Sequence, residues 1–132
     1  MSLVVLKSES GVSLATVNPE AIDKIIFEGD PVIKIHLYSG LSLVIDSDGG
    51  GNAISIHGLV NILNKGSKRN FVVARVSVGS DFSVAFGEND IECVKHYTGE
   101  IFLKDGTKYK LLEQDRERFL SSLSRSNSFR SI

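Results

Sequence analysis

The chain has 132 residues, a formal net charge of −1, one cysteine and no tryptophan. This length supports one core or two tightly paired half-domains without staples, and a lone Cys93, unable to form an intramolecular disulfide, suits a reduced setting. The small net charge gives no global attraction to nucleic acid or acidic membranes, no run approaches the about 20 apolar residues that cross a bilayer, and Met-Ser-Leu-Val-Val-Leu-Lys lacks the marks of a secretory signal, so a soluble, cytoplasmic protein without a membrane role is expected.

Leu3-Val4-Val5-Leu6 and Val12-Ser13-Leu14-Ala15-Thr16-Val17 are short apolar runs separated by a Ser-Glu-Ser-Gly turn, which reads as a hairpin. Asn18-Pro19 breaks that ladder, because proline has no amide hydrogen to donate. A strand follows from Ile22 to Phe27, then a turn at Glu28-Gly29-Asp30-Pro31. From there Ile33, Ile35 and Leu37 point one way and Val32, Lys34, His36 and Tyr38 the other. Leu41, Leu43 and Ile45 continue the apolar face after a Ser39-Gly40 turn. Gly49-Gly50-Gly51 reads as a loop, Asn52 as a helix N-cap, and Ile56, Leu59, Val60 and Leu63 as the buried stripe of a helix that stops at Gly66. Residues 53–57 also alternate as a strand would, which leaves the helix start open by a turn.

The second half begins at Phe71. Val72, Ala74, Val76 and Val78 are expected to face inward, with Phe71, Val73, Arg75 and Ser77 outward. Phe82, Val84 and Phe86 alternate again after Gly79-Ser80, Ile91 and Val94 mark another strand, and Ile101, Leu103, Tyr109 and Leu111 face inward around an Asp105-Gly106 hairpin turn. Glu113, Asp115 and Glu117 place negative charge where the last helix begins, and Arg116, Phe119, Leu120 and Leu123 supply its stripe.

The two halves therefore read alike. The expected fold class is α+β, two tandem β-β-β-β-α repeats at residues 1–66 and 67–123, each an antiparallel sheet packed on its C-terminal helix, with a flexible Ser/Arg tail at 124–132. Leu37 to Ile45 registers on Leu103 to Leu111, and Ile22 and Ile25 register on Ile91 and Val94 after a three-residue slip that a shorter turn absorbs. Two half-buried hairpins could look alike without common origin. The halves differ in charge: residues 1–66 carry 4 Lys and 7 Asp or Glu, residues 67–132 carry 11 Lys or Arg and 9 Asp or Glu, hence −3 and +2.

No catalytic constellation emerges. Three histidines and one cysteine lack metal-ligand spacing, so no metal and no cofactor are expected. Cys93 and His96, three apart on a strand, fall on opposite faces. The glycine triplet before a helix lacks the lysine and hydroxyl of a phosphate-binding loop, and Asp46 and Asp48 would repel an anion. Asp46/Asp48 and Asp90/Glu92 need at least one more ligand to hold a hard cation. The chain reads as a non-enzyme; a site formed across a domain interface would escape a reading of this kind.

One distribution carries chemistry. With the aliphatic faces turned inward, the opposite sheet faces present Lys34, His36 and Tyr38 in the first half and Arg75, Phe102, Lys104, Lys108 and Lys110 in the second. Cations interleaved with rings suit single-stranded nucleic acid, since charge tracks phosphates and rings stack on bases. The competing reading is an ordinary solvated face whose lysines discourage edge-to-edge aggregation. The tandem β-β-β-β-α order resembles, in topology, the PUR repeat and the whirly-type single-stranded DNA-binding regulators, a resemblance that covers most of the chain and implies nucleic-acid binding on a curved sheet. Locally, Asn-Pro-x-x-Ile-x-x-Ile followed by Asp-Pro-x-Ile-x-Ile and a glycine hairpin, residues 18–45, resembles FlbD/SwrD-type small flagellar proteins, which are single-copy and non-enzymatic. The expected function is a non-catalytic module binding single-stranded DNA or RNA. The alternative is an assembly or adaptor protein, a homo-oligomer or partner-binding chain whose oppositely charged halves meet head to tail.

Overall fold

Alternation along the strands resolves into antiparallel ladders in the computed structural model, which describes residues 3–29, 32–47 and 53–123. The expected tail at 124–132, the glycine triplet and Asn52 lie outside the described residues. Strands β1 (Val4–Lys7) and β2 (Ser13–Val17) form the first hairpin. Asn18 then turns the chain: its side-chain oxygen accepts the Glu20 amide at 3.0 Å, and Pro19, with no amide to satisfy, opens a 3₁₀ turn over Pro19–Ala21. A meander follows, β3 (Ile22–Phe27), β4 (Val32–Leu37) and β5 (Ser42–Asp46).

Helix α1 (Ile56–Gly66) is capped by Ser55, whose hydroxyl oxygen accepts the Gly58 amide at 3.0 Å. The expected cap, Asn52, is one turn too early. The Ile54 amide is held by the Asp46 carbonyl at 3.0 Å, which ties the chain back to β5 and delays the helix. Next come the hairpin β6 (Phe71–Val78) and β7 (Ser80–Gly87), a 3₁₀ turn at Glu88–Asp90, the meander β8 (Ile91–Lys95), β9 (Glu100–Leu103) and β10 (Lys108–Lys110), and helix α2 (Glu113–Leu123). The architecture is mixed α+β with antiparallel sheets and two helices. Among the described residues five strands, not four, precede each helix, because a hairpin and a three-stranded meander are both present.

The sheets do not follow the expected partition. Strand β3 pairs with β7, so a five-stranded sheet ordered β5-β4-β3-β7-β6 crosses residue 66, leaving β1-β2 and β10-β9-β8 as smaller sheets. One face of the large sheet, with Ile25, Ile33, Ile35, Ile45, Phe71 and Ala85, packs on Ile56, Leu59, Val60 and Leu63 of α1 and on Val4, Leu6 and Val17 of the first hairpin. The other face, on β6 and β7, carries Val72, Ala74, Val76, Phe82, Val84 and Phe86 against Ile91, Ile101, Leu103, Tyr109, Leu111, Phe119 and Leu123. Tyr109 stacks on Phe86 with centroids 6.1 Å apart and meets Phe82 edge-on at 6.0 Å.

This double coverage corrects two expectations. Phe71, expected outward, is 2% exposed, because what would be the wet face of an isolated hairpin is the α1 face of the joined sheet. Val78, expected inward, is 57% exposed at the hairpin tip, beyond the covering layer.

Arg69 ties these two 3₁₀ turns together. Its Nη1 donates to the carbonyls of Pro19 at 2.6 Å and Ile22 at 2.7 Å, and its Nη2 to the Asp90 carboxylate at 3.0 Å, while the guanidinium lies 4.4 Å from the Phe71 ring centroid. Gly87 makes room for it, since a Cβ there would stand 2.6 Å from Nη2. Pro19 and Ile22 are buried, so their carbonyls have little recourse to water. Arg69→Ala is expected to lower stability by about 2–3 kcal/mol, because two carbonyls of buried residues lose a charged donor and Asp90 loses its cation. Arg69→Lys should recover only part of this, because a point ammonium cannot match the planar fork. Urea midpoints at unchanged m-value measure both; a loss under about 0.5 kcal/mol for the alanine variant would refute the clamp.

Candidate functional site

The meander β8-β9-β10 turns one face to the second core and one to solvent. Ile91, Ile101, Leu103 and Tyr109 are buried, and by register Cys93, Phe102 and Lys108 form one outward row and Lys95, Glu100 and Lys110 the next. Diagonal contacts knit the rows. Lys95 Nζ lies 5.5 Å from the Phe102 ring centroid, and Lys108 Nζ lies 3.2 Å from Glu100 Oε2. Lys104 is exposed in the turn beyond Phe102, and Tyr97, in the turn between β8 and β9, is 94% exposed. Glu100 titrates below its usual range, first because the Thr98 hydroxyl donates to it at 2.9 Å, then because Lys108 does.

Four of the eight expected residues, Phe102, Lys104, Lys108 and Lys110, thus belong to one surface. Tyr38 meets it only at Lys104, across a shared cleft, and Lys34, His36 and Arg75 do not join it. Lys34 and His36 lie on β4 in the five-stranded sheet, where Lys34 is exposed and His36 Nδ1 is 3.0 Å from the Ser42 hydroxyl. Their face continues across β3 and β7 through Ile26 and Val84, but there it runs beneath the second core. Arg75 occupies the opposite face of that sheet, in register with Ser83, to whose hydroxyl it donates at 3.1 Å. A common surface was expected from alternation within each strand; pairing across β3 and β7 sets Arg75 on the side of Val73 and Ala85 instead.

Tyr38 stands at the end of β4, 56% exposed, and its hydroxyl donates to Asp90 at 3.3 Å. Partial burial, then the charge of Asp90, raises its pKa. It rims a cleft of about 280 Å³ with Asp23, Asp90, Leu103, Lys104 and Asp105. Here Lys24 Nζ donates to Asp105 at 2.6 Å, pinning the β9–β10 turn to β3. Burial pulls the Lys24 pKa down, but the bond to Asp105 and the charges of Asp23 and Asp105 outweigh it, so the net shift is upward. A second, larger hollow of about 550 Å³ opens between α1 and α2 beside β6, lined by residues including His57, Val60, Phe71, Val73, Arg75 and Arg118. Among the described residues, no three of His, Cys, Asp and Glu are grouped to hold a metal ion.

Lys95 and Tyr97 went unselected in the sequence. Lys95 becomes a site candidate only when β8 is paired with β9, whereas Tyr97, an aromatic one residue before a Thr-Gly turn, could have been singled out as a solvent-facing ring. No protein-family model and no curated protein matches the chain.

The Lys24–Asp105 pair gives a pH signature. The Lys24 hydrogen bond lowers the Asp105 pKa from 3.8 to about 2. A depressed carboxyl stabilises the fold fully above its unfolded pKa of about 3.9 and loses that contribution as pH falls toward 2. With Asp105 half exposed, screening reduces the contribution to about 1 kcal/mol. Asp105→Asn should be less stable than the wild type at pH 6 and converge on it near pH 2. Urea midpoints across that range decide, and a constant offset at all pH values would refute the linkage.

Proposed function

We propose that the protein is a non-catalytic binding module that holds single-stranded nucleic acid on the outer face of β8-β9-β10. The observation that carries this reading is the interleaving of Lys95, Lys108 and Lys110 with the rings of Phe102 and Tyr97 around Glu100, with Lys104 beyond Phe102 at the edge of the acidic cleft. Mobile ammonium groups can follow a phosphate backbone, and a fully solvent-facing tyrosine offers a base a stacking surface without reorganising the core. In this reading Lys34 and His36 are secondary contacts, Tyr38 and Arg75 structural ones, and no cofactor takes part.

The same reading takes residues 1–66 and 67–123 as two copies of one unit: hairpin, 3₁₀ turn, three-stranded meander, helix. Several details support it. Each 3₁₀ turn ends on an isoleucine in nearly the same conformation, Ile22 at φ −81°, ψ 124° and Ile91 at φ −78°, ψ 124°, with its amide bonded to the first carbonyl of the turn. Each following ladder has its irregularity one residue later, at Asp23 and at Glu92. Both helices have 11 residues. Ile22 pairs with Leu37 and Ile91 with Leu103, so the three-residue slip falls in the intervening turn. A second functional reading, assembly through protein contacts, is favoured by unpaired strand edges.

Fluorescence anisotropy with a labelled oligothymidine tests the nucleic-acid reading. Binding should appear at low salt and weaken as salt rises. Lys104→Ala, Lys108→Ala and Lys110→Ala combined should reduce the log–log salt slope by about 2, at about 0.7 per lost phosphate contact. Tyr97→Ala should weaken binding by about 1–3 kcal/mol with the slope retained. Absent binding at low salt, or binding indifferent to salt, would refute the reading.

A further inference from the structure

Inside the chain, one ladder joins the two units: β3 pairs antiparallel with β7, Lys24 opposite Phe86, Ile25 opposite Ala85 and Ile26 opposite Val84. The counterpart of β3 in the second unit is β8, and the counterpart of β7 in the first is β2. Among the described residues, neither is paired on that side: β8 ends the three-stranded sheet and β2 the two-stranded one. Matching the two 3₁₀ turns carries the β3–β7 register onto these edges and sets Cys93 against Val17, Val94 against Thr16 and Lys95 against Ala15. An open edge is a template for another strand, and here two open edges are, by the geometry of the chain itself, the two halves of a ladder it already makes once.

A second observation points to the same partner. Val4 pairs with Val17 as Val72 pairs with Phe86, so Leu3 and Val5 are the counterparts of Phe71 and Val73. On β6 these positions face α1, and Phe71 is 2% exposed; on β1, Leu3 is 64% and Val5 41% exposed. The first hairpin thus keeps an apolar face bare where the second hairpin has a helix over it. A copy related as the second unit is to the first would place its neighbour's α2 over Leu3 and Val5.

We infer that copies of this chain associate head to tail, β8 of one pairing antiparallel with β2 of the next; this rests on the two-unit reading above. The contact is heterologous, because each copy offers a different surface at each end, so it propagates into a ring or a fibre and not into a lone two-fold dimer.

Cross-linking tests the register with the native thiol. Cys93 is free and exposed, and Val17→Cys would place a second thiol opposite it, within the Cα separation a disulfide spans. Under mild oxidation Val17→Cys should give a ladder of linked dimers and higher multimers, at least about tenfold more than Glu9→Cys, whose thiol lies in the β1–β2 turn. Val5→Lys, a change at an exposed position, should leave the circular dichroism spectrum intact and weaken association, followed by sedimentation velocity, by about tenfold or more. A strictly monomeric wild type at high concentration, or equal linking from residues 9 and 17, overturns the inference. Phe27→Cys with Ser83→Cys in a Cys93→Ser background separates the two layers of the argument, since those residues face each other in the internal ladder. If this intrachain bond forms and the 17–93 bond does not, the head-to-tail contact alone falls. If neither forms, the internal ladder falls, and with it the register carried from it onto β8 and β2.

Discussion

The guanidinium of Arg69 reaches two backbone carbonyls of the first 3₁₀ turn and a carboxylate of the second, and most of the remaining geometry hangs from that contact. Both carbonyls belong to buried residues, one in the turn and one at the start of β3, and that of Pro19 also accepts the Ile22 amide that closes the turn. A planar cation with several donors satisfies both while neutralising Asp90. Asp90 in turn accepts from Tyr38, and its carbonyl accepts the Lys104 amide at 2.9 Å, so the end of β4 and the turn of the outer meander are fixed to the same point. A residue in the connection between α1 and β6 therefore sets how the second meander lies on the large sheet.

Much of the strand content was legible because burial on one face imposes a period of two. Ile33 and Ile35 on β4, Ile101 and Leu103 on β9, and Tyr109 on β10 are buried as their alternation implies. What alternation cannot express is a strand wet on neither side. β7 is buried from Phe82 through Gly87, Ser83 and Ala85 included, because it pairs with β3 more than fifty residues earlier and is covered above and below. Phe71 and Val73 were misassigned for the same reason. The helix start, open by a turn in the sequence, falls at Ser55, with the Ile54 amide held by β5 just before it.

The candidate surface divides along the same line. Phe102, Lys108 and Lys110 lie within one local meander, whose short turns make neighbours of residues close in sequence. Lys34 and Arg75 depend on how distant strands join, and the joining places them on opposite faces of one sheet. Grouping by strand parity is therefore sound inside a meander and unsafe across a long-range ladder. Lys95 illustrates the gain from pairing: on its own strand it is one more exposed lysine, and beside β9 it is the cation over Phe102.

The central position of β7 also bears on the order in which the chain is made. During synthesis from the N-terminus, β3 leaves the ribosome long before its partner, and the first core waits for Phe71 and Ala85 to complete it. At about 5–20 residues per second, that interval lasts several seconds, with the β3 edge and the aliphatic face beneath it open to chance encounters. Lys24 and Lys34, charged side chains on and beside that edge, hinder intermolecular pairing throughout the delay. A nascent chain thus carries its own temporary guard, and one of the two guards, Lys24, is afterwards taken up by Asp105.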